Sequence, residues 1–435
     1  MKIGSDGLTV RQAWGVTWIL GTASYLDASA IAGTGTALVL FQDGLSLTGT
    51  DIGRLSALLT VCIAIGALFG GRLGDRFGRR RVFTVTMVVF AAAALLLTAS
   101  TGIVPLYIGL ALLGLASGAD LPVSLSMIGE AAPDDKRGRM IGLSQGLWVV
   151  GIVAAILIGM LFGDLGAVAG RIMYGHLFAV SALVLVARLW IPESSKWRAA
   201  EDTRSAGIAD PDGGTDIGAL RKLFTSRFVL PLVALGLFFG IANISANTNG
   251  QFQTYLYVNV AGTDVPTASA FGLVSIGLGF SSMLLFMKLV DDARMRTAML
   301  WAAAVMAVAA FALPAVAGVH VWTLVTSTVL YSLGGGIIGE PMYKVWSQEI
   351  IPTLFRSSVQ GITIAFTRLV AAGVALVTPA IIATGPTNLY YFLVATTLVS
   401  VAIGLFWLPR FPRANEEAGI GGAPSAAPAG DVPSA

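Results

Sequence analysis

Ionisable side chains are scarce: Asp, Glu, Lys and Arg make up 12% of the 435 residues, about half of the roughly 25% typical of a soluble domain. A chain so poor in charge cannot surround itself with solvated surface, which excludes an ordinary soluble globular fold. Cysteine occurs once, as Cys62 in an apolar run, so no internal disulfide can form and the thiol reads as packing. Only His176 and His320 are available as imidazoles, no metal-spaced cluster is present, and no nucleophile sits near a base. Metal-dependent and acyl-transfer chemistry therefore have nothing to build on, and no enzyme is expected. Phosphate-binding glycine loops are missing, so ATP coupling within the chain has no support and no cofactor is expected. The net charge of +3 carries no case for nucleic acid, because its distribution along the chain explains it.

What is present is apolar: 55% of residues are hydrophobic and the mean hydropathy is +0.80. About twelve apolar segments follow one another, at 14–40, 52–71, 82–100, 104–129, 140–163, 172–191, 229–257, 266–290, 297–317, 320–348, 357–384 and 387–408. Each approximates the ~20 residues that cross a bilayer as a helix. The expectation is an all-α membrane protein of twelve transmembrane helices, embedded in lipid. The first segment carries Asp27 and is too long for the apolar region of a signal peptide, so no cleavable leader is expected. Residues 192–228 form the one long polar interior stretch and divide six segments (1–191) from six (229–408); the tail 409–435 has a disordered composition.

The densest charge lies between the second and third segments, where residues 71–81 hold five arginines, one aspartate and three glycines. A short arginine-rich loop between two spans is retained in the cytoplasm. With both termini inside, nearly every Lys and Arg falls on that side, the exceptions being Arg54, Arg171, Lys344 and Arg368. The expected location is the cytoplasmic (inner) membrane, multi-pass, with both termini cytoplasmic. Within the loop, Gly71 and Gly78 allow close approach of helix ends, while Asp75 can accept hydrogen bonds from Arg76, Arg79 or Arg80. Together they read as a latch. The segment Glu130-x-x-Pro133-x-x-x-Arg137 recurs 219 residues later as Glu349-x-x-Pro352-x-x-x-Arg356, and Asp75 recurs 216 residues later as Asp291. Two markers at nearly one spacing indicate a duplicated six-helix unit, a common route to alternating access around a fixed site. The carboxylate–arginine pairs are expected to form and break at the cytoplasmic ends as helices move.

The pattern Gly71-x-Leu-x-Asp75-Arg-x-Gly78-Arg79-Arg80 resembles the helix 2 to helix 3 signature of the major facilitator superfamily. Pro192-Glu193-Ser194-Ser195-Lys196-Trp197, Glu130 to Gly138, Gln145, and Gly339-x-Pro341 ahead of Glu349 are similar to the sugar porter branch, bacterial inositol and sugar transporters included. The resemblance implies two pseudo-symmetric six-helix bundles and a monomeric secondary transporter. It adds Glu193 to the cytoplasmic gate of Gly71, Asp75, Arg76, Gly78, Arg79, Arg80, Glu130, Arg137, Glu349 and Arg356. It also implies that Gln145, the amides of the seventh span and the aromatics of the tenth bind sugar hydroxyls, and that Asp27 couples transport to a proton. The chain departs from the branch at Leu110 in place of a helix 4 arginine, at Lys344 with Trp346 displaced, and at Arg368.

Residue by residue, Asp27 sits near mid-membrane, where a charge costs roughly 2.5 to 3.5 kcal/mol, and reads either as a proton carrier or as a carboxylate pairing helices. Asp120, beside Gly118 and Pro122 in the fourth span, is a second candidate for proton coupling. Gln145 and Trp148 are three apart on one helix face, offering an amide and an indole to a polyhydroxylated ligand; glutamine also serves as interhelical glue. The seventh span holds Asn243, Asn247 and Gln251 among further amides, too polar for lipid, so they line a wet cavity or pair across helices. Glu340 and Lys344 are four apart in the order that supports an ion pair. Arg368 has no local partner and should find Asp27, Asp120, Glu340 or an anionic ligand. The reading reached is a proton-coupled carrier of a sugar or polyol, with Gln145, Trp148, Asn243, Asn247, Gln251, Trp346 and Arg368 at the substrate. The alternatives are an organic anion carrier or drug exporter and, from another class, a non-transporting receptor.

Overall fold

A computed structural model describes residues 9–133, 136–188, 229–290, 292–351 and 356–412. The 192–228 connection, Glu193 and the tail beyond 412 lie outside the described residues, as do the side chains of Asp75, Arg137 and Arg356. Every regular element among the described residues is helical. The first half comprises α1 (Val10–Leu40), α2 (Gly49–Phe77), α3 (Arg79–Thr98), α4 (Ile103–Ala131), α5 (Arg137–Phe162) and α6 (Ala167–Arg188). The second comprises α7 (Val229–Tyr255), α8 (Val265–Leu289), α9 (Ala293–Ala317), α10 (Val321–Ile338), α11 (Glu340–Ile350), α12 (Arg356–Thr384) and α13 (Pro386–Ala402). The tenth span is thus two helices, α10 and α11. Gly339 breaks it, and Pro341 opens α11 where a missing N–H costs nothing.

Among the described residues eleven stretches are long and apolar enough to cross a membrane. The twelfth, α1, is 31 residues long but too polar to meet that measure. The reason is its position: α1 packs against α4, α5, α6 and α7, so neighbouring helices rather than lipid meet its polar atoms. Ser24 and Ser144 share a hydrogen bond of 2.7 Å, and Ser117 donates to Asp27 at 2.7 Å. Elsewhere small residues bring backbones together, as lipid provides no hydrophobic drive between helices. A Cβ added to Gly118 of α4 would collide with the Ile63 carbonyl of α2. Gly78 alone joins α2 to α3, at φ +94°, a conformation that L side chains rarely adopt.

The halves repeat one packing scheme. Contacts of α2 with α4, α1 with α5, α3 with α6 and α1 with α6 are matched by α8 with α10, α7 with α12, α9 with α13 and α7 with α13. Across the halves, α1 packs on α7, α2 on α12 and α5 on α8. These contacts cluster at the end away from the arginine-rich loop: Gly53 abuts Pro379, Gly163 abuts Pro266, and Gly35 abuts the backbone of Gln251. Among the described residues the halves therefore meet at the end away from the arginine-rich loop.

Candidate functional site

The broken tenth span shapes a cavity of about 250 Å³ inside the second half. Phe239, Ala242, Asn243 and Ala246 of α7 form one wall; Tyr331, Gly335, Gly339, Glu340 and Pro341 form the other. Glycine on α10 and the break at Gly339 leave the room, while Asn243 and Glu340 supply polar atoms. From Asn243 a ladder of amides climbs α7 toward the closed end. Asn247 donates to the side chain of Asn243 and, at 3.2 Å, to its carbonyl. Gln251 donates to Asn247 at 3.4 Å and crosses to Thr60 of α2 at 3.0 Å. The ladder joins the cavity wall to the contact between halves. It places Gln251 at that closed contact, with its Oε1 buried and unpartnered, rather than in the cavity.

Gln145 and Trp148 lie on the stripe of α5 that continues through Ile156 and Gly159, which meet Gly272 and Ser269 of α8. Gln145 is exposed and Trp148 half-buried. Arg368 is arranged alike on α12. It shares a face with Ala375 and Pro379, which touch Gly53 of α2, and it is half-buried with no hydrogen bond or ion pair among the described residues. The three expected protein partners are engaged elsewhere.

Asp27 is 1% exposed; its Oδ1 accepts from Ser117 and its Oδ2 has no partner. Asp120 behaves differently. Arg188, 1% exposed at the end of α6, grips it with two bonds of 2.9 and 3.0 Å, and Thr86 adds a third at 2.9 Å. Arg188 also donates to the Phe83 carbonyl at 2.9 Å and lies over the Phe83 ring, so the cluster ties α3, α4 and α6. Asp120, the second candidate for proton coupling, is thus held as the anion of a buried ion pair. Arg188 escapes a reading of the sequence because it is 68 residues from its partner. The available signal is a lone arginine ahead of Trp190 in an apolar run.

Trp346 does not line the described cavity. It is 6% exposed, edge-on to Phe238 at 5.0 Å and packed by Gly404, inside the core of the second half rather than at the cavity. The break at Gly339 resets the helical register, turning this face of α11 inward. Glu340 and Lys344 form the expected pair at 2.7 Å.

At the basic end Arg79 pairs with Glu130, and Arg296 pairs with Glu349 at 2.7 Å. These two pairs repeat each other, one in each half. Arg76 is exposed and stacks on Phe77, Arg80 is exposed, and a Cβ at Gly71 would meet open space.

Comparison with known proteins places this geometry. The profile of the Major Facilitator Superfamily matches residues 17–375. The minor myo-inositol transporter IolF of Bacillus subtilis (strain 168) is 32% identical over 400 residues, 89% of each chain. The galactose-proton symporter of Escherichia coli (strain K12) is 30% identical over 40% of this chain and 37% of that protein. A crystal structure of a D-xylose-proton symporter shares the fold with a TM-score of 0.70 at 17% identity, covering 92% of this chain and 97% of that one.

Proposed function

The chain belongs to the Major Facilitator Superfamily and is a multi-pass secondary transporter, not an enzyme; from that premise we propose that it carries myo-inositol or a similar polyol into the cell with a proton. The observation that carries the cargo assignment is the cavity at Asn243 and Glu340, a small chamber whose largely apolar wall carries an amide and a carboxylate. An uncharged polyol is recognised by such a chamber through hydrogen bonds to amide and carboxylate groups. The inositol transporter is similar along nearly the whole chain, which supports the same cargo class.

The mode follows from where the halves touch. The positive-inside rule assigns the arginine-rich end, both termini included, to the cytoplasm. The described state is then open to the cytoplasm and shut toward the outside of the inner membrane. Polyol released from the cavity leaves through the parted end. Return requires separating Gly35 from Gln251 and Thr60 from Gln251, with the bundles rocking about the site. Asp27, buried against Ser117, is the group that holds the coupling proton, and a single chain in the bilayer contains the whole path.

Purified protein in proteoliposomes tests the cargo. Uptake of radiolabelled myo-inositol should be competed by other inositols and sugars, and Asn243→Ala should weaken it. No uptake of any polyol or sugar under an inward proton gradient would refute the reading.

A further inference from the structure

Four charged groups of the spans cancel in pairs: Asp120 with Arg188, and Glu340 with Lys344. Asp27 is turned to Ser117 on α4. Arg54 and Arg171 lie near the starts of their spans, which leaves Arg368 deep in one, its guanidinium without a hydrogen bond or ion pair among the described residues. A cation at this depth is expensive, and residues of this kind mark substrate paths. Its helical position puts it on the face of α12 that meets α2 of the other half. It precedes Ala375, the next contact with α2, by two turns or about 10 Å, and Asp27 stands at a similar distance below Gly35 on α1.

We propose that Arg368 is an anion subsite of the transport path, and that the protein accepts a polyhydroxylated monocarboxylate, a sugar or polyol acid, in preference to its neutral analogue. A guanidinium offers a planar fork that matches a carboxylate with two parallel bonds. One uncancelled positive charge matches a monoanion; a phosphate monoester carries nearly two negative charges and would need a second cation that Lys344, already paired, does not supply. The subsite rests on the assignment of the parting as the transport path, but not on inositol being the cargo.

The test compares D-glucuronate with D-glucuronamide, which has the same shape without the charge. In proteoliposomes of the full chain, glucuronate should inhibit myo-inositol uptake at a concentration about 10-fold lower than the amide, the scale of a charge-assisted hydrogen bond. In Arg368→Gln the difference should vanish while amide inhibition stays, and Arg368→Lys should retain part of it. Equal inhibition in the wild type, or a preference that survives in Arg368→Gln, overturns the subsite. Glucose 6-phosphate should inhibit less than glucuronate; tighter inhibition overturns the choice of carboxylate. Thermal stabilisation of the detergent-solubilised protein by the same ligands gives a second readout. If inositol is not transported but glucuronate still stabilises the wild type more than Arg368→Gln, the polyol cargo fails and the subsite stands.

Discussion

Gly35→Ala should drive the two halves apart at their closed end. A Cβ there would sit 2.5 Å from the carbonyl oxygen of Gln251 and 3.1 Å from its Cα and carbonyl carbon. These are backbone atoms of the opposite half and cannot swing aside as a side chain would. Overpacking of this kind costs about 1 to 3 kcal/mol, which is a shift of roughly 5- to 150-fold in a two-state equilibrium. Separating α1 from α7 relieves the clash, so the penalty falls on the described state alone. Gly33→Ala is the control, since its Cβ would meet only the Ala155 methyl, at an ordinary 3.6 Å within the same half. Both changes add the same helix propensity of about 1 kcal/mol, so their difference isolates the contact. Spin labels at Asp43→Cys and Asn259→Cys, exposed on opposite halves at the closed end, report the separation once buried Cys62 is replaced by Ala. Pulsed dipolar spectroscopy should show a longer-distance population in Gly35→Ala and none in Gly33→Ala. An unchanged distribution, or equal change in both, refutes the reasoning.

Asp120→Asn should lower the thermal unfolding midpoint sharply, because it strands the buried Arg188 charge at a cost of about 3 to 5 kcal/mol; the double change Asp120→Leu with Arg188→Met should recover much of the loss, and no recovery would contradict a structural pair. Asn243→Ala should raise the half-saturation concentration for myo-inositol about 10-fold, the worth of one hydrogen bond in a cavity, and an unaltered value would remove Asn243 from the site. Trp346→Phe should reduce stability yet keep that half-saturation within about twofold, as expected of a core side chain that loses only packing area; a loss of affinity comparable to Asn243→Ala would restore Trp346 to the substrate.

Features set by local spacing are legible in the sequence. Glu340 and Lys344 pair because one helical turn brings them together, and the 219-residue repeat of Glu130 as Glu349 corresponds to ion pairs at matching corners of the two halves. The twelve apolar runs mark the spans, and Arg368 stands out because nothing near it in sequence can neutralise it. Tertiary assembly decides the rest. Asp120 and Arg188 meet only when α4 and α6 pack on α3, and no spacing rule connects residues 68 apart. Trp346 follows a helix break whose turn angle the residues around Gly339 do not reveal. Gln251 resembles its amide neighbours in sequence, yet about two turns along α7 from Asn243 carry it from the cavity to the seal between halves. The polarity of α1, which looks adverse for a membrane helix, reflects its enclosure by four others.

Accumulation of myo-inositol against its own gradient decides the matter most directly. With an inward proton gradient across proteoliposomes, the wild type should concentrate inositol above equilibrium. Asp27→Asn, which keeps the shape beside Ser117 but cannot release a proton, should only equilibrate it, with exchange of labelled for unlabelled inositol intact. Gradient-driven accumulation undiminished in Asp27→Asn would contradict the account.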